Sequence, residues 1–394
     1  MTFFGKIGVE VTIISLVIIA LYIFTFVETG FSFVPSKQAE NILSVCLTEK
    51  DREKCYEREV PKLYPQSSVS QIFEIVRYIR AKDKTYQFCH VLAHKIGERV
   101  VVEDPSKWIN AIPLNPSDGL CSNGFIHGVV GGRFNREVMD EAELDLLIPD
   151  FKRACEPRGS WNPSPLDQAI CYHGMGHLYD FITDANLGKA LNLCEETTTL
   201  QFRRVCREGV FMQIYQPLEP DDYLMIERMP VKPATTTVRY FCSAFKHDED
   251  EGACLRESWP FFRVGIINGT GAKSFCSSQP NADEETKCYQ SISAIVGRMT
   301  LGEPEKSVSA CGKFPESEQD ICYGAIAQAV LEENRSDAGE AIALCKLAPG
   351  VHANECMSTL VEHAASIFGR DILRYNRFCA LLPSALQREC MQTR

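Results

Sequence analysis

Apolar positions along this chain follow two regimes. From Val11 to Val27 the stretch VTIISLVIIALYIFTFV stays apolar for 17 residues, with only Thr12, Ser15 and Thr25 as mild interruptions. Beyond it, apolar residues come in short groups that end in a cysteine, as in Ala190-Leu191-Asn192-Leu193-Cys194 and Ala341-Ile342-Ala343-Leu344-Cys345. We read each group as the end of a first helix. A polar loop follows, often with proline: Pro280-Asn281, Pro315-Glu316-Ser317, Pro383-Ser384. A second helix then opens on a capping-box pattern and reaches its own cysteine about two turns in. Ser384-x-x-Gln387 and Ser317-x-x-Asp320 carry that pattern, and Ser164-Pro165-Leu166-Asp167 adds proline at the first helical position, where a missing N–H costs nothing. Gly124, Gly174, Gly209 and Gly324 follow the second cysteine closely. Glycine is a poor interior helix residue, so its use there predicts close approach of a neighbouring helix. The predicted unit is a helical hairpin.

The hairpins recur. Cys55, Cys89, Cys121, Cys171, Cys206, Cys254, Cys288, Cys322, Cys356 and Cys390 are separated by 34, 32, 50, 35, 48, 34, 34, 34 and 34 residues. The two long gaps read as one period plus an insertion. Such a period marks an array in which each unit is one supersecondary element. A second series, Cys46, Cys155, Cys194, Cys242, Cys276, Cys311, Cys345 and Cys379, lies 9 to 16 residues ahead of eight of the ten. Within a hairpin, the end of one helix and the start of the next come within disulfide range. The pairs expected are therefore 46–55, 155–171, 194–206, 242–254, 276–288, 311–322, 345–356 and 379–390. Cys89 and Cys121 remain. They stand in consecutive units whose first helices carry no cysteine, and are either a ninth bond that joins neighbouring hairpins or thiolate metal ligands. Closing a loop of a dozen residues contributes roughly 3 kcal/mol per hairpin in the chain-entropy model.

Paired thiols at this density persist only in an oxidising compartment. The apolar run is at the lower limit for a bilayer span, and the flank ETGFSFVPS shows no small-x-small cleavage site. Lys6 is the one side-chain cation before the run. The expected organisation is a short cytoplasmic tail (1–10), a transmembrane signal-anchor (11–29), a juxtamembrane segment with the first hairpin (30–66), His-rich repeats (67–185) and further Cys-paired repeats (186–394). The bulk would be periplasmic or extracellular. With 41 Lys and Arg against 52 Asp and Glu, the net charge is −11 and no basic stripe stands out, which argues against nucleic acid.

In period and cysteine pairing the chain resembles Sel1-like and tetratricopeptide-like helical repeat proteins, particularly bacterial cysteine-rich ones, from Cys46 to Cys390. That resemblance implies an all-α fold, a right-handed α-solenoid of about ten disulfide-stapled hairpins after the N-terminal transmembrane helix. The tetratricopeptide pattern of Trp, Leu-Gly, Tyr, Ala, Phe and Pro is absent, so no ligand residue is implied. CHVLAHKIG, CSNGFIHG and CYHGMGH are similar to a group of bacterial proteins without an assigned activity, which supplies no mechanism.

The chemistry concentrates in histidine. Five of eight fall in three consecutive second helices: His90 and His94, His127, then His173 and His177. His90, His94 and Glu98 lie at i, i+4, i+8, one stripe of a helix; His173 and His177 repeat the spacing with Asp180 a turn further. His127 and His177 both lie six residues after the repeat cysteine, where later units carry Met212, Pro260, Ala294, Gln328 and Glu362. A role common to all repeats would not need histidine there. Metal ligation by His90, His94, Glu98, His127, His173, His177 and Asp180 is the functional reading, and satisfied core histidines are the bland one. Imidazole suits zinc, copper or iron. Haem has no motif here, though His-ligated b-type haem stays open; HExxH, CxxCH, paired CxxC and GxSxG are all absent. Two further functions stand beside metal binding: a metal-free scaffold for a peptide, glycan or envelope protein, and a metal-dependent hydrolase or oxidoreductase. The insertion Gln216–Pro230 is read as a surface loop in preference to a lid, and 139–147 as an acidic amphipathic helix.

Overall fold

The computed structural model of the protein describes residues 35–86, 88–134, 138–217 and 220–393. The expected tail and anchor lie outside them, and no helix among the described residues is long and apolar enough to cross a membrane. The described chain is all helical; its only β-type pairing is an isolated bridge between Arg158 and Trp161.

Eight helices organise the fold and are numbered here: α1 (His90–Val102), α2 (Gly124–Phe134), α3 (Pro165–Ile182), α4 (Leu200–Tyr215), α5 (Asp248–Glu257), α6 (Ala282–Met299), α7 (Gln319–Glu333) and α8 (His352–Phe368). Each packs on the next in the row. Shorter helices such as Leu187–Thr197, Pro304–Cys311 and Gly339–Leu347 precede them and end near the bonded cysteines. Nine disulfides join 46–55, 89–121, 155–171, 194–206, 242–254, 276–288, 311–322, 345–356 and 379–390, and no described cysteine is free. Cys89 and Cys121 are thus bonded and unavailable as thiolate ligands.

Local chemistry explains some of the element starts. Ser164 forms the expected capping box with Asp167, Pro165 taking the first helical position, and Asp140 with Glu143 starts the acidic helix Glu141–Ala154 the same way. Two expected boxes do not form. Ser384 is itself the first helical residue, and its Gln387 donates instead to the Ala380 and Leu382 carbonyls; Ser317 sits in a 3₁₀ turn and donates to Glu318. In both places a proline takes the N-cap position, so the serine already lies inside the helical turn and cannot cap it. His352 is the first residue of α8.

The close approach signalled by the glycines is present. A Cβ on Gly209 of α4 would lie 2.1 Å from the His173 carbonyl oxygen of α3, and one on Gly124 of α2 would lie 2.5 Å from the His90 carbonyl oxygen of α1. Only a residue without a side chain lets these backbones touch.

The row departs from an open solenoid: it curls until its end meets its beginning. α8 packs on α3, with Gly369 against Ser164. Arg335, past α7, donates through Nη1 to Asp167 at 2.7 Å and through its backbone N–H to the Asp118 carbonyl at 3.0 Å. Ser122 donates to Glu333 at 2.5 Å, and Arg374 to the Ser117 carbonyl at 3.0 Å. Spacing along the chain carries no information on this closure, because its partners lie between about 170 and 260 residues apart. The apolar core divides accordingly, one cluster running from Ala39 to Leu255 and a second from Trp259 to Cys390.

Candidate metal centre

The histidines of α1, α2 and α3 meet in one place. Ring centroids lie 4.6 Å apart for His90 and His94, 5.2 Å from each of these to His127, 5.1 Å from His127 to His177 and 4.9 Å from His177 to His173. Imidazole contacts this short between three helices require the glycines. A Cβ at Gly174 of α3 would stand 2.6 Å from Cδ2 of His127, so the small residue makes the space that ring occupies.

The tightest set is His90, His94 and His127, whose candidate ligand nitrogens all lie within 4.8 Å of one another. His90 Nε2 and His94 Nε2 are 3.0 Å apart. Two nitrogens bound to one tetrahedral ion at 2.0–2.1 Å stand about 3.3 Å apart. His90 Nδ1 donates to the Cys121 carbonyl at 3.3 Å, which leaves Nε2 as the lone pair facing its neighbours.

That carbonyl is aimed by an unusual turn. Cys121, Ser122 and Asn123 follow one another at φ of 59°, 51° and 58°, after Gly119 at 82°. Three successive non-glycine residues in the left-handed region cost about 1–2 kcal/mol each. The bond to Cys89, the Asn115 amide on Asn123 at 2.7 Å and Ser122 on Glu333 hold the turn. Cys89 immediately precedes α1, so the one disulfide between hairpins fixes the His90 helix to the turn that orients His90.

A cavity of about 80 Å³ opens beside the rings, lined by His90, His94, Glu98, His127, His177 and Met212 among others. It has room for an ion and water. Glu98 reaches the wall as the stripe on α1 predicted, paired with Lys95 at 3.3 Å. His173 does not line the cavity; its Nδ1 donates to the Val205 carbonyl at 3.1 Å and its Nε2 contacts the Met212 sulfur at 3.2 Å. Asp180 is fully buried, has no hydrogen-bond partner for either oxygen among the described residues, and stands outside the cavity wall. Burial first, then the charge of Asp222, raises its pKa well above the usual carboxylate range.

Burial also governs the histidines. It pushes His90 down to about 4 and His173 to about 3, and lowers His127 and His177. The rings are therefore neutral at physiological pH, the form that binds metal. His127 Nε2 and His177 Nε2 are buried with no hydrogen-bond partner among the described residues. Donor atoms of this kind, unsatisfied in the interior, fit a bound cation.

Sequence spacing missed several wall residues. Met212 and Gln213 come from α4, Gln216 from its C-cap, and Asp222 from the helix Pro220–Arg228. That helix lies in the insertion expected to be a surface loop; with Asp222 only 5 % exposed and Met225 1 %, it instead packs over the cavity. Its mixed Tyr, Leu, Met and Ile content was the available signal. Compared with protein-family models, curated proteins and solved structures, the chain has no match, so the chemistry of the site rests on its own residues.

Proposed function

We propose that this disulfide-rich helical protein is a membrane-anchored, extracytoplasmic transition-metal protein whose ion is held by His90, His94 and His127. The observation that carries the reading is the convergence of three imidazoles with ligand atoms within 4.8 Å, one of them oriented by a backbone carbonyl. Three imidazoles suit zinc, copper or iron and leave a coordination position open to water, the arrangement that metal-assisted hydrolysis uses. Anchorage by residues 11–29 and an oxidising location are supported by the apolar run and by eighteen cysteines in nine bonds.

The test is metal analysis of full-length protein purified without chelator, followed by Co(II) titration. The expected result is one Co(II) per chain at the trihistidine group, with the d–d absorption of a nitrogen-ligated ion. His94→Ala and His127→Ala each abolish it while keeping the helical circular dichroism. Absence of stoichiometric metal together with no Co(II) uptake overturns the proposal. Alkaline carbonate extraction of membranes tests the anchor: release of the full chain into the supernatant refutes it.

A further inference from the structure

Measured from the repeat cysteines, the position six residues on carries His127 in α2, His177 in α3 and Met212 in α4. These helices pack in succession, and all three side chains line the same cavity. The column of ligand-type residues therefore continues from two imidazoles to a thioether.

His173 sits one turn before His177 and points its Nε2 at the Met212 sulfur, 3.2 Å away. Its Nδ1 faces the Val205 carbonyl, which can only accept, so the proton of the neutral ring is on Nδ1. Nε2 is then a lone pair, and a thioether has no proton to give. Two acceptors face each other with no hydrogen between them. His177 repeats the pattern: Nδ1 donates to Gln213 Oε1 at 2.9 Å and Nε2 is buried without a partner. In both rings the outer nitrogen is tied to an oxygen and the inner one is left bare, the way metal-bound imidazoles are held. An ion with bonds of about 2.0 Å to nitrogen and 2.3 Å to sulfur spans about 3.5 Å between them, within a few tenths of the distance observed. Thioether ligands select soft cations, above all cuprous copper. With every described cysteine in a disulfide, no thiolate competes for that ion.

We propose that His173, His177 and Met212 bind a cuprous ion beside the His90–His94–His127 group, so that the centre takes two ions of different character. The inference deepens the metal reading above and rests on it only for the neighbouring ion.

Full-length protein titrated with Cu(I) under anaerobic ascorbate against bicinchoninate is expected to take two equivalents. The copper K-edge fine structure is expected to show a sulfur neighbour. Met212→Leu, which nearly conserves volume, is expected to weaken one equivalent by about tenfold or more, with Co(II) uptake at the trihistidine group unchanged. No Cu(I) uptake, a copper shell without sulfur, or Cu(I) binding unaltered by Met212→Leu overturns the proposal, whereas a single equivalent with a sulfur neighbour removes only the ion at the trihistidine group. Where Met212→Leu does not fold, the wild-type spectrum decides alone. Loss of Co(II) binding in the wild type with a copper–sulfur shell present would refute the trihistidine proposal and leave this one standing; Co(II) binding with no copper–sulfur shell would do the reverse.

Discussion

Three glycines around the histidines differ in what an added methyl group would meet, and that difference sets out a graded experiment. At Gly131 of α2, on the cavity wall, nothing lies within 4 Å of a new Cβ. At Gly174 of α3 the Cβ would meet the His127 ring at 2.6 Å, and at Gly128 of α2 it would meet the His94 carbonyl oxygen at 2.0 Å. Replacing helical glycine by alanine contributes up to about 1 kcal/mol through backbone entropy. Gly131→Ala should realise that gain. In Gly174→Ala the gain is set against an overpacking cost of about 1–3 kcal/mol, for a net loss of roughly 0–2 kcal/mol. The ring yields before the backbone does, so the functional effect exceeds the structural one: His127 leaves the group and Co(II) affinity falls by about tenfold or more. Gly128→Ala offers no such escape, because backbone meets methyl roughly 1.4 Å inside ordinary contact. The α1–α2 pair must separate, at a cost above about 3 kcal/mol. Urea unfolding gives the three stabilities, and Co(II) titration gives the three affinities. If Gly174→Ala binds Co(II) as tightly as Gly131→Ala, the claim that close helix approach places His127 is wrong.

Two further outcomes follow from groups outside the histidine set. Glu257 accepts from Gln216, a cavity-wall residue, at 3.1 Å, and burial, with the charge of Glu208 second, raises its pKa from 4.5 to about 8. The folded carboxyl keeps its proton up to about pH 8, while the unfolded one releases it near 4.5. Its contribution is thus complete below about pH 4.5 and is lost as pH rises to 8. Glu257→Gln should match the wild type at pH 4.5 and exceed it at pH 8.5, by at most about 5 kcal/mol; a pH-independent difference in urea unfolding would refute this. Arg335, with its side chain 2 % exposed, pairs with Asp167 across the closure. Arg335→Met should cost about 3 kcal/mol and speed hydrogen exchange in 117–123 and 333–337 while leaving α5 and α6 unchanged, whereas uniform acceleration would show that the closure is not a separate unit.

How far the chain could be read in advance depended on range. The cysteine period measures helical hairpins because each unit closes within a few turns, and Cys194–Cys206 or Cys379–Cys390 join residues 12 and 11 apart. The stripe of His90, His94 and Glu98 was legible for the same reason, since helical periodicity fixes which side chains share a face. Spacing also grouped the five histidines in three adjacent units. It did not separate Glu98, which reaches the cavity wall, from Asp180, whose spacing after His177 is similar but whose carboxyl is buried outside that wall. It fell short at Asp222, which reaches the cavity from an insertion that breaks the repeat.

What the sequence determined by itself is local: helical hairpins, their cysteine register and the faces on which histidines stand. Tertiary structure alone decided that the row curls back so that Arg335 meets Asp167, and that a left-handed turn at Cys121 aims a carbonyl at His90. It also decided that Met212 confronts His173. The physical reason is the same in each case. Periodicity reports which face of a helix is buried, whereas the partner that covers the face depends on how many helices away the chain returns, which is set by the summed packing of units that scarcely differ locally.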